Sequence, residues 1–166
     1  MALSLQFLTP ALAEQALDIA YDAAFRKPVC DALKLDPDND SVHLVLIGPE
    51  KESDDEPLVP AILAQKSYGP IVDPGKRPIV RIARSKAWQA WLGQNDGGTD
   101  IQPHLLFPGD TRYWASYKDG LLVGAGSGVK PWNDRFLAST IVHAAKALAY
   151  GAWKASGIAE SDQAFV

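Results

Sequence analysis

The stretch RYWASYKDGLLVGAGSG, residues 112–128, decides the fold. Two runs rich in β-forming residues, 112–118 and 121–128, flank the dipeptide Asp119-Gly120. Asp-Gly between such runs predicts a β-hairpin with a type I′ turn, because that turn needs positive φ at both central residues. The hairpin must then bury one of its faces.

A long helix follows the hairpin directly. Asn133-Asp134 can cap its N-terminus, the apolar residues that follow recur at helical spacing, and Gly157 stands where a helix-terminating glycine belongs. A hairpin followed by an amphipathic helix predicts a two-layer unit of sheet and helix.

Two further helices are predicted upstream. Thr9-Pro10 opens the first as an N-cap followed by proline. Pro28 should interrupt it, and residues 29–35 could form another helical turn or two before Asp36-Pro37. The second spans residues 79–92 and ends at Gly93, with Gln89 on its outward face.

A second pair of strands lies between those helices. VHLVLIG at residues 42–48 predicts a buried strand, and residues 61–67 predict its partner. Between them, residues 50–57 form an acidic, proline-bounded loop, which we interpret as solvated. The order α-ββ-α-ββ-α predicts an α+β fold, with helices packed on an antiparallel sheet.

Composition excludes several classes of protein. The 166 residues predict a single domain over residues 1–166. A net charge of −4 and a pI near 5.3 argue against a nucleic-acid-binding protein. No apolar run approaches the ~20 residues that cross a bilayer, and the N-terminus lacks the basic region of a signal peptide. The lone Cys30 excludes an internal disulfide. We expect a cytoplasmic protein with no membrane partner.

The glycine-rich turn before the last helix has two interpretations. Gly126, Ser127 and Gly128 could expose backbone N–H groups at a helix N-terminus, which suits a carboxylate or phosphate. Equally, glycines in a strand mark the close approach of another backbone. Lys86, on the second predicted helix, is either an anion clamp above this turn or a lysine with a structural hydrogen bond.

Candidate acid–base and ligand residues are few. His43, His104 and His143 share no metal-binding spacing, so we predict no metal site. His104 lies in a long glycine-bearing loop and is the best candidate for a ligand or a general acid. Asp110 and Asp134 are the carboxylates that could act with it.

Two tryptophans flank the hairpin and the glycine turn. Trp114 and Trp132 are candidates for a pocket mouth or a subunit interface, and ordinary packing is the alternative.

Two blocks of sequence resemble the GlcG/HbpS-like family, also called the haem-degrading-domain family. The blocks are IARSKAWQAWLG at residues 82–93 and LLFPGDTRYWASYKDGLLVGAGSG at residues 105–128. The acidic loop departs from the family pattern, in which a hairpin follows the first strand. Bulky Tyr113, Trp114 and Tyr117 replace small apolar residues of the family.

The resemblance implies an antiparallel sheet of about five strands, self-association into a homo-oligomer, and binding of a small molecule, with haem as one ligand. No haem-ligating residue of the family can be placed on this sequence. Three hypotheses follow: a small-molecule-binding protein, an enzyme without a cofactor that uses a His/Asp acid–base pair, and an assembly or regulatory subunit.

Overall fold

A computed structural model describes residues 5–38, 40–51, 53, 56–70, 78–95 and 102–160. Parts of three predicted connections therefore lie outside the described residues. These are residues 52, 54 and 55 of the acidic loop, residues 71–77, and residues 96–101 of the loop that contains His104.

The described strands form one antiparallel sheet in the order β2-β1-β4-β3. The strands are β1 (Val42–Glu50), β2 (Val59–Tyr68), β3 (Ser116–Asp119) and β4 (Leu122–Ser127). Both predicted strand pairs form, and β1 joins them by pairing with β4. The α+β class is confirmed, with four strands in the described part of the chain.

Helices cover both faces of this sheet. They are α1 (Pro10–Ala20), which continues through a π-helical segment (Tyr21–Val29) into α2 (Cys30–Leu33), then α3 (Ile79–Trp91) and α4 (Pro131–Ala155). Short 3-10 turns occupy Pro103–Leu105 and Ile158–Glu160. Within the described ranges, no helix has the length and apolarity that a membrane crossing requires.

The central strand β1 is buried on both sides, which explains its continuous apolar sequence. Leu44 and Leu46 pack with residues of α1 and α4, whereas Val45 and Ile47 pack with α3. The protein therefore has three layers, with α1 and α4 on one face of the sheet and α3 on the other.

Local helix signals are confirmed at three positions. Thr9 caps α1 by accepting a hydrogen bond from Leu12 N at 3.3 Å. Gly93 and Gly157 both have a φ of +74° just beyond the ends of α3 and α4. Glycine adopts this left-handed conformation without steric cost.

The prediction that Pro28 interrupts the first helix is wrong, whereas the helical turn predicted within residues 29–35 forms as α2. Pro28 lies inside the π-helical segment, and the helix continues to Leu33. A π-helical turn is wider than an α-helical one, so the chain accommodates a residue that has no N–H to donate.

The hairpin forms one residue later than predicted. Asp119 pairs with Leu122, so Gly120-Leu121 is the two-residue loop. Only Gly120 has positive φ, at 62°, which is the pattern of a type II′ turn rather than a type I′ turn. The strand before it is also shorter than predicted, because Ala115 has a φ of 86° and interrupts the extended chain.

Helix α4 begins earlier than the Asn133-Asp134 pair predicts. Lys130 is the N-cap residue and Pro131 is the first helical residue, a position that suits proline. Asp134 is buried in the first turn, and its Oδ1 accepts a hydrogen bond from Val129 N at 3.4 Å.

Gly124 allows α4 to lie directly against β4. A Cβ atom at this position would come within 2.3 Å of the backbone oxygen of Ala138. Gly124 therefore marks a close approach of another backbone, which is the structural interpretation that the sequence offers for glycines in this strand.

We expect Gly124→Ala to lower the free energy of unfolding by about 1–3 kcal/mol, because the added methyl group must push α4 away from the sheet. Gly151→Ala is the matched control. No atom lies within 4 Å of a Cβ at that helical position, so it should stabilise the protein by about 0.5–1 kcal/mol. Urea denaturation measures the stability of both variants. Equal urea midpoints for the two would contradict a close backbone contact between β4 and α4 at Gly124.

Candidate functional site

Lys86 and Asp134 form a buried ion pair where the sheet ends. Lys86 Nζ, on α3, lies 2.7 Å from Asp134 Oδ2, on α4. Lys86 is 2% exposed and Asp134 is 3% exposed. Lys86 Nζ also donates a hydrogen bond to the backbone oxygen of Gly126 at 2.9 Å. One ammonium group thus ties together α3, the end of β4 and the first turn of α4.

The helical positions of Lys86 and Asp134 explain where their side chains lie. Lys86 follows Ile82 by one helical turn, so both project from the same side of α3. Asp134 lies in the first turn of α4, where the helix dipole favours a carboxylate. Burial raises the pKa of Asp134, and the ammonium of Lys86 opposes that shift.

The ion pair lies at the edge of a cavity of about 360 Å³, which we call the β4–α4 cavity. Helix α3 and the junction between β4 and α4 supply most of its walls. Its lining residues are Pro78, Ile79, Ile82, Lys86, Tyr113, residues 127–131 and Asp134.

Two hydrogen-bond donors in this cavity are not fully used. Ser127 is 5% exposed, lies on the face of the sheet that α3 covers, and lines the cavity. Its hydroxyl makes no hydrogen bond with any described residue. Lys86 Nζ donates two hydrogen bonds, to Asp134 and to the Gly126 oxygen. Its third N–H has no partner in the described part of the chain. Both groups therefore have hydrogen-bonding capacity that the described residues do not use.

A second cavity of about 370 Å³ adjoins the first, and we call it the arginine cavity. The two cavities share Pro78, Ile82 and Tyr113. The remaining lining residues of the arginine cavity are Arg81, Ser85, Gly109, Asp110, Thr111 and Arg112.

The structure brings together about half of the predicted site residues. Lys86, Ser127, Gly128 and Asp134 all line the β4–α4 cavity, and the Gly126 carbonyl accepts from Lys86 at its edge.

The other predicted residues lie elsewhere. His104 is exposed in a 3-10 turn, Trp114 is half-buried and Trp132 is 61% exposed. None of the three lines either cavity.

Asp110 organises the loop before β3. Its Oδ2 accepts hydrogen bonds from Phe107 N at 2.9 Å and from Gln94 Nε2 at 3.2 Å. His104 makes no hydrogen bond or ion pair with Asp110 or Asp134 among the described residues. The predicted combination of His104 with a carboxylate is therefore not assembled.

The prediction that Gln89 faces outward on α3 is wrong. It is 1% exposed, and its Nε2 donates to the backbone oxygen of Thr111 at 3.0 Å. A buried amide that satisfies a loop carbonyl costs little, and it fastens to α3 the loop that carries Asp110 and Arg112.

Sequence reasoning missed Tyr113, Lys130, Arg81 and Arg112 as cavity residues. Tyr113 stood out only as a bulky departure from the family pattern. Lys130 precedes Pro131, and a Lys-Pro pair opening a helix beside a glycine turn is the signal that could have found it. The two arginines carry no such signal, since only the folded chain brings α3 and the loop together.

The described lining of the β4–α4 cavity is poorly suited to haem. Among those residues there is no histidine, cysteine or methionine, and Tyr113 alone is of a type that ligates haem iron. Within the described ranges, no group of three or more His, Cys, Asp or Glu side chains could hold a metal ion.

His43 is buried on β1, and its Nδ1 lies 2.7 Å from Ser67 Oγ. Its Nε2 has no hydrogen bond of good geometry among the described residues, although the side chain of Gln65 lies close enough to favour the protonated ring. Burial lowers the pKa of His43 below its ordinary value of 6.5, and Gln65 opposes that shift only in part.

We expect the protein to lose stability as pH falls below about 6.5, because the unfolded chain then binds a proton that buried His43 resists. Above that pH the contribution of His43 is fully present. Urea midpoints between pH 8 and pH 5 measure the effect, and NMR titration should give His43 a pKa below 6.5. The slope should flatten in His43→Gln and persist in His143→Gln, which alters an exposed histidine.

The buried ion pair predicts a strongly non-additive double-mutant cycle. Lys86→Met and Asp134→Asn should each cost about 3–5 kcal/mol, because each leaves a buried charge or polar group without its partner. The double variant should cost clearly less than the two together. Lys146 and Asp119 form an exposed pair at the same 2.7 Å distance, and removing either should change the urea midpoint far less. Additive costs at Lys86 and Asp134 would refute the coupling.

The chain was compared with protein-family models, with curated proteins and with solved structures, and none of the three comparisons gave a match. The resemblance to the GlcG/HbpS-like family therefore stays a prediction that rests on two blocks of sequence. Function has to be argued from the geometry and chemistry of the site.

Proposed function

We propose that this protein binds a small organic anion, a carboxylate-bearing molecule, in the β4–α4 cavity. The observation that carries the proposal is that Ser127, a residue only 5% exposed, lines the cavity and its hydroxyl has no hydrogen-bond partner among the described residues. Together with the third N–H of Lys86, it supplies two donors in the lining of one cavity. Convergent donors in a sheltered cavity favour an acceptor that carries negative charge.

The charges around the cavity support the same ligand class. Lys86 and Lys130 line it against the single carboxylate of Asp134. Lys86 neutralises Asp134, so Lys130 remains as the uncompensated charge. Helix α4, 25 residues long, begins beside it and directs its positive end toward the cavity.

The size and walls of the cavity suit a small molecule with an apolar body. About 360 Å³ falls within the usual range for ligand sites. Ile79, Ile82 and Tyr113 supply apolar and aromatic surface opposite the donors. We expect a ligand whose anionic end contacts Ser127 while its carbon skeleton lies along α3.

Binding is better supported than acid–base catalysis. Both carboxylate oxygens of Asp134 already accept hydrogen bonds, from Lys86 and from Val129 N. Neither His104 nor Asp110 lines this cavity to act as its partner. Self-association and a cytoplasmic location, expected from the sequence, stay predictions.

Carboxylates and their uncharged amides test the proposal directly. We expect butyrate and benzoate to shift the amide resonances of residues 127–130 and of the first turn of α4. Butyramide and benzamide, which have nearly the same shape, should leave those resonances unchanged. NMR titration of the intact chain reads out both the affinity and the location of binding.

Ser127→Ala should weaken carboxylate binding by about ten- to a hundredfold through the loss of one hydrogen bond to a charged group. Ser139→Ala removes an exposed hydroxyl of α4 and should not change it. Lys130→Gln should weaken binding, whereas Lys154→Gln, at the other end of α4, should not. Equal binding of carboxylates and amides, or no binding of either, would overturn the proposal.

A further inference from the structure

We infer that the ligand carries two anionic groups, the second of which binds in the arginine cavity, so that the ligand class is a dicarboxylate or a similar dianion. This inference rests on the proposed function, because it assigns the first anionic group to Ser127 and Lys86. It adds a second subsite, formed by Arg81 and Arg112.

The two cavities form adjacent parts of one cleft. Tyr113 and Ile82 line both, so a ligand that extends along α3 past these side chains enters the second cavity. Lys86 and Ile82 project one helical turn apart toward the β4–α4 cavity, while Arg81 projects from the neighbouring row toward the arginine cavity. The positions of Arg81 and Lys86 differ by five residues, which is roughly 7.5 Å along the helix axis.

The arginine cavity has more positive than negative charge. Neither Arg81 nor Arg112 forms an ion pair with a described residue. Among the described lining residues Asp110 is the only carboxylate, and its Oδ2 already accepts hydrogen bonds from Phe107 N and Gln94 Nε2. In a chain of net charge −4, two arginines that line one cavity without an acidic partner among the described residues favour an anion site.

The loop geometry prepares Arg112 for such a contact. Its guanidinium lies over the ring of Tyr113, with its central carbon 5.4 Å from the ring centroid. A cation–π contact of this kind consumes none of the guanidinium N–H donors, so they can still form the two parallel hydrogen bonds that a carboxylate accepts. The loop itself is fastened to α3 through Gln89 Nε2 and the backbone oxygen of Thr111.

Matched mono- and dicarboxylates of equal length separate this inference from the proposed function. Hexanoate and adipate differ only in the second carboxylate, and butyrate and succinate form a shorter pair. We expect one member of the series succinate, glutarate, adipate and pimelate to bind at least about tenfold more tightly than its monocarboxylate, since the second group gains a charge-assisted bidentate contact. Its binding should also shift the amide resonances of residues 109–113.

The double variant Arg81→Gln/Arg112→Gln should abolish this preference and leave monocarboxylate affinity within about twofold. Arg26→Gln/Lys27→Gln, which removes two charges on the π-helical segment, should keep the preference. All four positions are exposed, and urea midpoints confirm that each variant is folded.

The outcomes are distinct. Equal affinities for mono- and dicarboxylates, or a preference that survives in Arg81→Gln/Arg112→Gln, overturn the second subsite and leave the proposed function standing. No binding of either class overturns both.

Discussion

An ammonium and a carboxylate, both shut away from water, hold this molecule together at the end of its sheet. Charges as deeply buried as those of Lys86 and Asp134 are tolerated only when each is paired and hydrogen-bonded. The pair is completed by the Gly126 carbonyl and by Val129 N. Helices from opposite faces of the sheet are thereby joined at one point, and that point forms the edge of the cavity.

The glycine-rich strand β4 makes this junction geometrically feasible. Where Gly124 faces α4, the helix backbone approaches the strand more closely than any side chain would allow. The first turn of α4 then starts beside the last residues of the strand. Ser127 projects to the opposite face, so its hydroxyl lies between the start of α4 and α3. Successive residues of β4 point to opposite faces of the sheet. The face that contains Gly124 packs closely against α4, and the face that contains Ser127 contributes to the cavity.

The two adjacent cavities form a cleft with buried charges at its edge and exposed charges at its rim. The edge is the buried ion pair, in which Lys86 and Asp134 are hydrogen-bonded to each other. This arrangement favours ligand binding over acid–base catalysis. The rim holds Lys130, Arg81 and Arg112, cations without acidic partners among the described residues, on a chain that is acidic overall. Under the proposed function, this distribution would attract anions, and hydrogen bonds would then orient them. The α+β fold agrees with what the GlcG/HbpS-like resemblance implies, and the resemblance itself stays a prediction.

The sequence by itself determined the features that depend on near neighbours: the Thr9 cap, the terminating glycines Gly93 and Gly157, the pairing of strands within each hairpin, and the α+β class. These follow from backbone sterics and from the periodicity of apolar residues. Only the tertiary structure decided that Asp134 pairs with Lys86, that Gln89 turns inward, and that His104 stays outside the cleft. Those outcomes depend on contacts between residues far apart in the chain, such as the 48 positions that separate Lys86 from Asp134. No local sequence pattern predicts which two buried charges form an ion pair, because the packing of whole helices on the sheet determines which side chains come into contact.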